Sequence, residues 1–395
     1  MGSKSNMRSS PRKCALTTAL SMIWGATFLT VFGLSCGEGR KTPFDNTPVD
    51  EVEYEYSVPV ATDDGWDTAH CDSVGIDHTL IENLVNEISN ETMPDLNSIL
   101  IVRDGKLVFE EYFNGWPPDS LHMLMSCTKS VTSALVGIAI NEGYLSGIDT
   151  GIYSFFPEYD EFRTPRKDSM LLRHTITMTG GLKWDQSSYE YDDPANSLYQ
   201  LWACGCNWIS YILALDDLYT PGTEWEYSDA MALTTGEVLC RAVGMPVTKW
   251  AEQKLFMPLE IDRVEWRHTN GSYTNTGYGL YMRSRDMAKF GQMYLDGGQW
   301  KGQQVVSQAW VNESTAEAVP LSAAAGYGYY WWRVRYRLDD DSYVNTVFAM
   351  GNQGQMIYLV PSSNAVVVFT MTRPSNKGYD EARWAMVNHI FPALQ

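Results

Sequence analysis

The order of apolar and polar positions predicts a sheet whose strands come from both ends of the chain. A helical pattern of apolar positions begins at Ile76. Two β-rich runs, 98–102 and 106–113, then flank Asp104-Gly105, and a two-residue Asp-Gly connection is a strong hairpin signal. The β-rich pattern returns in four runs near the C-terminus. These runs are 327–337, 344–350, 355–360 and 365–372.

Between the two strand-rich ends, the chain reads as mostly helical from about residue 126 to residue 296. Residues 250–259 resemble a helix that ends in a turn, and 282–295 have an amphipathic helical pattern. A final helix is predicted over 379–391. Strands from both ends with helices between them imply one sheet-based domain that carries an inserted helical region.

The first 35 residues have the pattern of an export signal. Four basic residues precede an apolar, uncharged run over 15–34, and small residues lead to Cys36. This end resembles a lipoprotein processing site with Cys36 as the lipidated residue. The alternative is an uncleaved signal anchor, because the run is nearly long enough to span a bilayer. In both cases we expect an exported protein, either anchored at the membrane on the periplasmic side or secreted.

Composition divides the rest of the chain into a tether over 36–70, rich in Pro, Asp, Glu, Thr and Gly, and a folded domain over 71–395. Without the signal, the formal net charge is about −23. Such a charge repels nucleic acids and anionic lipid head groups. We therefore expect no nucleic-acid partner, and membrane contact only through the N-terminus.

The cysteines outside the signal favour buried thiols or a single disulfide. They are Cys71, Cys127, Cys204, Cys206 and Cys240, an odd number for an oxidising compartment. The close spacing of Cys204 and Cys206 predicts that these two do not pair with each other. Since no histidine-rich segment accompanies the cysteines, we expect no metal site.

The candidate chemistry begins with the tetrad Ser126-Cys127-Thr128-Lys129, which precedes an apolar, uncharged run over 130–138. At the start of a helix, residues i and i+3 project from one face, so Lys129 can reach the Ser126 hydroxyl. The helix N-terminus also offers N–H groups to a developing anion. Apolar surroundings disfavour the charged form of a lysine, so its amine can accept a proton. The alternative is a serine cap beside a surface-reaching lysine.

Two further motifs strengthen this interpretation. Tyr227 lies in Tyr227-Ser228-Asp229, and a tyrosine close to a cation releases its phenolic proton more readily and can act as a base. The alternative for a single tyrosine is core packing. The glycine-rich stretch 349–355 lets a substrate carbonyl approach the backbone, where one N–H completes an oxyanion hole. By itself this stretch is a flexible turn.

The order of the three motifs resembles the serine β-lactamase-like family. That family includes class C β-lactamases, D-alanyl-D-alanine carboxypeptidases, carboxylesterases and nylon-oligomer hydrolases. The resemblance covers about residues 70–395 and includes the segments 98–112, 178–185, 221–223, 285–291 and 329–332. It implies an α/β (α+β) fold of the β-lactamase/transpeptidase type, with an antiparallel sheet flanked by helices and an inserted, mostly helical region. It implies no metal and no cofactor.

The resemblance also implies roles for individual residues. Ser126 would be the acylated nucleophile, Lys129 its proton acceptor and Tyr227 the relay to the leaving group. The backbone N–H groups of Ser126 and Asn352 would form the oxyanion hole. The candidate substrate-binding residues are Tyr191, Asp229, Gly351, Trp331 and Trp332.

Two departures from the family pattern bear on the substrate, which we expect to be a small molecule. Many relatives carry a cationic residue in the third motif, whereas 349–355 has no charge. Asp229 stands where β-lactamases usually have Asn, and its carboxylate would favour protonated Lys129 and repel anionic ligands. Both departures favour a carboxylesterase or a linear-amide hydrolase over the alternatives, a β-lactamase or a D-alanyl-D-alanine carboxypeptidase.

Two other hypotheses remain open. A non-catalytic ligand-binding or sensor protein on the same fold is a rival from a different functional class. A Ser–His–Asp enzyme is a second rival, but His174 and His268 lie in no nucleophile-associated motif, and we interpret them as structural or surface residues. The natural substrate and the oligomeric state stay unspecified.

Overall fold

The computed structural model describes residues 53–88, 92–269, 273–373 and 377–395. The predicted export signal, Cys36 and the first part of the tether lie outside these residues. The strands, in chain order, are β1 (Asp67–Thr68), β2 (Leu96–Arg103), β3 (Lys106–Tyr112), β4 (His122–Met123), β5 (Glu265–Trp266), β6 (Leu280–Met282), β7 (Gln299–Trp300), β8 (Gln303–Gln304), β9 (Val319–Pro320), β10 (Ala325–Tyr327), β11 (Trp332–Arg337), β12 (Tyr343–Gly351), β13 (Gln355–Val360) and β14 (Ala365–Met371). The helices are α1 (His78–Glu87), α2 (Cys127–Asn141), α3 (Leu172–Ile176), α4 (Ser197–Ala203), α5 (Trp208–Ala214), α6 (Asp229–Val243), α7 (Val247–Ala251), α8 (Ser284–Leu295), α9 (Gln308–Thr315), α10 (Lys377–Ala385) and α11 (Phe391–Ala393).

The main sheet joins strands from both ends of the chain in the order β1-β3-β2-β14-β13-β12-β11-β10-β9. All neighbouring strands are antiparallel except β1 and β3, which are parallel. The N-terminal hairpin meets the C-terminal strands where β2 pairs with β14. The predicted antiparallel sheet with helices around it is confirmed.

The sheet is buried on both faces because its strands are apolar at successive positions. In β14, Val366 and Val368 pack into one core with α2 and α8, while Val367 and Phe369 pack into a second core with α1 and α10. Successive side chains of a strand point to opposite faces, so a continuous apolar run suits a strand covered on both sides. Gly291 lets α8 lie close to the sheet, since a Cβ there would be 2.6 Å from Val366.

The predicted hairpin is confirmed, with β2 and β3 paired around Asp104-Gly105. Both turn residues have positive φ, 52° and 74°, which matches the favoured two-residue hairpin turn. The run 327–337 was predicted as one strand but forms two, β10 and β11. Tyr330, with φ of 65°, lies in the turn between them.

The inserted region between β3 and the C-terminal strands is helical at its centre, with α2 and α6 packed against each other. It is less purely helical than predicted, because β4, β5 and β6 form a small three-stranded sheet within and beside it. These strands are two or three residues long, too short to give a pattern in the sequence. Among the described residues, no helix is long and apolar enough to cross a bilayer.

The predicted tether boundary at residue 70 differs from the structure. Tyr56 and Trp66 are buried, and the indole N–H of Trp66 donates to the Arg285 carbonyl at 3.2 Å. Asp64 also forms an ion pair with Arg285 at 3.0 Å. The aromatic side chains of this acidic segment anchor it to the domain, so its composition alone was misleading.

Candidate active site

Ser126 lies at the start of the buried helix α2, at the wall of a cavity. The preceding residue, Met125, has φ of 48°, a left-handed conformation that is costly for a residue other than glycine. Ser126 is half-buried, whereas α2 is buried from Cys127 to Ala139. The burial of α2 on all sides, polar positions included, fixes the position of the serine at its start.

Lys129 is almost fully buried, at 1% exposed, and its ammonium group has three acceptors. Its Nζ lies 2.9 Å from Ser126 Oγ and 2.9 Å from the Gly277 carbonyl oxygen, and it forms an ion pair with Asp229. A lysine ammonium has three N–H donors, so this set satisfies it completely. The surroundings are therefore more polar than the apolar setting predicted from the sequence.

Tyr227 lies close to the Ser126 side chain in the wall of the same cavity. Its ring centroid is 4.9 Å from the Lys129 amine. Burial raises the pKa of Tyr227 well above its ordinary value, and the Asp229 carboxylate raises it further. The sequence predicted the opposite direction from the nearby cation. Desolvation outweighs that cation, so the resting side chain is a neutral phenol.

Asp229 was predicted to face the substrate, but the structure places it behind Lys129. It is 3% exposed and does not line the cavity. As the first residue of α6, its carboxylate lies at the positive end of the helix dipole. One carboxylate oxygen contacts Lys129, and the other accepts from the Gln186 amide at 3.1 Å.

Sequence reasoning missed Gln186. It is 43 residues from Asp229 in the chain and belongs to no motif that was recognised, so no local signal linked the two. Its side chain is 4% exposed, yet it borders the cavity. Gln186 therefore belongs to the same cluster as Lys129 and Asp229.

The cavity in front of Ser126 has a volume of about 780 Å³. Four of the predicted site residues line it together with Ser126 and Tyr227. They are Tyr191, Trp332, Gly351 and Asn352. Trp332 stacks on Tyr227, with ring centroids 6.0 Å apart and an interplanar angle of 23°. A volume of this size suits a small organic substrate.

Trp331 was also predicted as a wall of the pocket, and this prediction is wrong. Its side chain is fully buried on the other face and stacks on Phe290, with centroids 6.0 Å apart. The ring of Tyr294 lies 4.6 Å from it. Adjacent positions at the start of a strand point to opposite faces, so only Trp332 reaches the cavity.

The glycine-rich stretch forms the cavity wall at the end of β12. A Cβ on Gly351 would lie 2.3 Å from the Leu124 carbonyl oxygen, so only glycine lets this strand pass so close to the segment before Ser126. Asn352 follows in a tight turn, where its side chain accepts from the Gln353 N–H at 2.8 Å. The oxygen of the Asn352 side chain is thus occupied locally.

The charged side chains that line the cavity are acidic. They are Glu190 and Asp193, and the lining includes no lysine, arginine or histidine. Neither carboxylate forms an ion pair within the described chain. Among the residues that the structure describes, no three His, Cys, Asp or Glu side chains are grouped to hold a metal ion. The wall is aromatic and acidic, which disfavours an anionic ligand.

The prediction that Cys204 and Cys206 do not pair is wrong, because they form a disulfide with a Cα–Cα distance of 5.2 Å. Gly205 between them has φ of 60°, and this left-handed conformation turns the chain back so that the sulfurs meet. Cys71, Cys127 and Cys240 are free thiols.

His174 has a structural contact, as interpreted from the sequence. Its Nδ1 accepts from the Leu171 N–H at 3.1 Å, at the start of α3. Neither His174 nor His268 lines the cavity. The fold therefore does not place either histidine in a Ser–His–Asp arrangement with Ser126.

Comparison with known proteins shows what this chain is similar to. A curated relative, the 6-aminohexanoate-dimer hydrolase of Paenarthrobacter ureafaciens, is 26% identical over 302 residues, which are 70% of this chain and 72% of the relative. A solved structure from Bacillus anthracis, provisionally assigned as a 6-aminohexanoate-dimer hydrolase, has a TM-score of 0.65 at 18% identity and covers 78% of this chain and 81% of its own.

A second solved structure, a D-stereospecific amidohydrolase from a Streptomyces species, has a TM-score of 0.61 at 15% identity and covers 78% of this chain and 98% of its own. At these identities the two structures establish the fold. The sequence profile of the family described as Beta-lactamase matches residues 97–389, well over half of the chain. This protein therefore belongs to the beta-lactamase family, whose fold is that of serine hydrolases.

Proposed function

We propose that this protein hydrolyses neutral or positively charged esters or linear amides through an acyl-enzyme on Ser126. The observation that carries the proposal is the convergence of three side chains at one cavity wall. The Lys129 amine lies 2.9 Å from Ser126 Oγ, and Tyr227 lies close to the same side chain, with its ring centroid 4.9 Å from the Lys129 amine. These are a nucleophile, a base and an acid within reach of one acyl carbon.

In the proposed acylation, the Lys129 ammonium first passes one proton to the paired Asp229 carboxylate. The resulting amine takes the proton of Ser126 Oγ as that oxygen attacks the carbonyl carbon. The oxyanion accepts hydrogen bonds from the N–H groups of Ser126 and Asn352. The bond to the leaving group then breaks, the leaving group takes the Tyr227 proton, and the lysine ammonium reprotonates the phenolate. A neutral phenol suits this acid role. Water then attacks the acyl carbon, which releases the acid and restores the serine.

The acidic lining of the cavity supports the choice of substrate. Glu190 and Asp193 repel the carboxylate that a β-lactam or a D-alanyl-D-alanine peptide carries. A neutral or cationic substrate meets no such repulsion. The amide-hydrolase relative and the D-stereospecific amidohydrolase are consistent with amide as well as ester chemistry.

A substrate panel tests this proposal. Purified protein lacking residues 1–36 is assayed with short-chain p-nitrophenyl esters, linear amides and a chromogenic cephalosporin, beside the Ser126→Ala variant. We expect ester or amide turnover that Ser126→Ala abolishes, with little cephalosporin cleavage. Efficient cephalosporin cleavage favours the β-lactamase alternative. Binding of these compounds without any turnover favours a non-catalytic binding protein.

We propose further that the protein is exported and anchored through lipidated Cys36. The basic and apolar pattern before Cys36 supports this, and the Cys204–Cys206 disulfide suits an oxidising compartment. Expression of the full chain and of Cys36→Ser in a bacterial host with a radiolabelled fatty acid tests it. We expect label on the wild type and none on the variant, which should keep its full unprocessed mass. Absence of label from the wild type would contradict lipidation.

A further inference from the structure

Besides its ion pair with Lys129, Asp229 is held in place by the side chain of Gln186. The Gln186 Nε2 donates to the Asp229 carboxylate at 3.1 Å, and Gln186 Oε1 accepts from the Asp229 backbone N–H at 2.7 Å. The indole N–H of Trp184 donates to the same Oε1 at 2.7 Å and fixes which way the amide points. Gln186 thus grips both the backbone and the carboxylate of Asp229.

The hydrogen bonds from Gln186 fix the orientation of the Asp229 carboxylate relative to Lys129. With one carboxylate oxygen bound by Gln186, the other is directed to Lys129, whose amine then lies 2.9 Å from Ser126 Oγ. All three polar side chains behind the serine are buried. A buried acceptor that loses its donor carries a large desolvation cost, so without Gln186 the carboxylate would reorient toward another donor.

Gln186 also begins the segment that borders the cavity, residues 186–191 and 193. Its carbonyl accepts from the Asn196 side chain at 3.2 Å, and the same Asn196 amide donates to the Tyr189 carbonyl at 3.0 Å. Asn196 is fully buried and caps α4. The segment that faces the substrate is therefore tied to the residue that holds Asp229.

We propose that Gln186 is a positioning residue for the reaction, which acts by clamping Asp229 so that the Lys129 amine stays beneath Ser126. The inference rests on the proposed function, since it assigns Gln186 to that same site. Gln186 does not touch the reacting atoms in this scheme. It sets the geometry and charge of the Lys129–Asp229 pair.

The tyrosines around Asp229 do not add charge to this pair. They are Tyr191, Tyr227, Tyr278, Tyr327 and Tyr330, and burial is the first cause that raises the pKa of each one. They remain neutral phenols at neutral pH. A change in the pH dependence of acylation on altering Gln186 therefore does not come from the ionisation of these tyrosines.

The experiment starts with wild type and Ser126→Ala, whose difference establishes turnover at Ser126. Gln186→Met keeps the size of the side chain and removes the clamp. We expect kcat to fall about tenfold or more, the effect of a hydrogen bond to a charged group, with KM within about twofold. The matched control is Gln292→Met in α8, also a buried glutamine that donates to a carboxylate, Asp296, at 2.9 Å. It should leave both constants unchanged.

Two further variants separate positioning from a general structural role. Gln186→Glu places a second carboxyl group beside Asp229, so the pH midpoint of acylation should move by about one unit. In an Asp229→Asn background, Gln186→Met should add less than about twofold, because the two residues act as one unit. An unchanged pH midpoint, or a full tenfold loss in that background, would overturn the proposal.

A crystal structure of Gln186→Met gives a readout that is independent of activity. We expect the Asp229 carboxylate to turn and the Lys129 Nζ to move beyond hydrogen-bond distance of Ser126 Oγ. An unchanged Lys129–Ser126 contact would contradict the positioning role. If wild type shows no turnover but this shift occurs, the proposed function fails while the clamp stands.

Discussion

The two sides of Ser126 differ in how completely their polar groups are bonded. Behind it, Lys129 and Asp229 are buried, and each has partners for its charged atoms. In front of it, Tyr191 is 38% exposed, and Glu190 is exposed and has no ion-pair partner in the described part of the chain. The region behind Ser126 is a closed hydrogen-bond network. The region in front of it, with Glu190, Tyr191 and Asp193, is the open wall of the cavity.

We expect the buried network to govern the rate of the reaction and the open wall to govern the choice of substrate. A fully satisfied buried network is rigid, because any displacement breaks hydrogen bonds that water cannot replace. Exposed side chains reorient at low cost and contribute mainly through charge and contact area. We infer that changes behind the serine alter the rate of every substrate, whereas changes at the open wall alter which substrate is preferred.

The largest expected effect comes from the buried side. Lys129→Ala and Tyr227→Phe should each lower the acylation rate by about a hundredfold or more, because each removes a proton-transfer group. Single-turnover kinetics with an ester measure this directly. The ratio of kcat/KM between two esters should stay constant in both variants. A loss confined to one substrate would break the distinction between the two regions.

Two adjacent tryptophans provide a matched pair for the next prediction. Trp331→Ala removes a fully buried ring and should lower the free energy of unfolding by about 3–5 kcal/mol. Trp332→Ala should cost less stability, since its ring is only partly buried, but should change the preference between acyl groups. Urea denaturation and ester kinetics on both variants measure the contrast. Equal stability losses would contradict the assignment of Trp332 to the cavity.

A smaller effect is expected from the charge of the open wall. Neutralising Glu190→Gln together with Asp193→Asn should lower the kcat/KM ratio of a cationic ester to an anionic ester by about fivefold, as expected for partly solvated charges. The control, Asp63→Asn with Asp339→Asn, changes the net charge equally away from the cavity. A similar change in the control would mean that overall charge, not the wall, selects the substrate.

The smallest expected effect concerns Tyr227, whose ionisation state should not change over the pH range in which the protein is assayed. Burial and the Asp229 carboxylate raise the pKa of Tyr227, so below about pH 10 its phenol should stay neutral in the folded protein. The ultraviolet absorbance of tyrosinate, compared between wild type and Tyr227→Phe, measures this. Because the unfolded chain ionises this phenol near pH 10, stability should fall as the pH rises further. A tyrosinate signal from Tyr227 near neutral pH would contradict this and support the prediction from the sequence that Tyr227 acts as a base.

Local patterns predicted the parts of the molecule that depend on local geometry. The Asp104-Gly105 hairpin follows from turn chemistry, and the contact between Ser126 and Lys129 follows from their spacing on a helix. The alternation of a strand also allows only one of two adjacent tryptophans to face the cavity. Since this alternation is visible in the sequence, the orientation of Trp331 away from the cavity was predictable.

The remaining features depend on tertiary structure. The Gln186 clamp joins residues far apart in the chain, so no spacing rule could find it. The pKa of Tyr227 was predicted in the wrong direction because a nearby lysine is visible in a motif, whereas burial is not. The Cys204–Cys206 disulfide depends on the left-handed backbone of Gly205, and a glycine between two cysteines permits that conformation without requiring it.

The most direct test of the account is to locate the covalent intermediate. The folded protein is treated with a fluorophosphonate probe, digested and mapped by peptide mass spectrometry, with Ser126→Ala and a known esterase alongside. We predict modification of the peptide that contains Ser126, at the serine oxygen, and none in the variant. Absence of labelling while the esterase reacts, or labelling at another residue, would contradict the claim that this serine is the nucleophile.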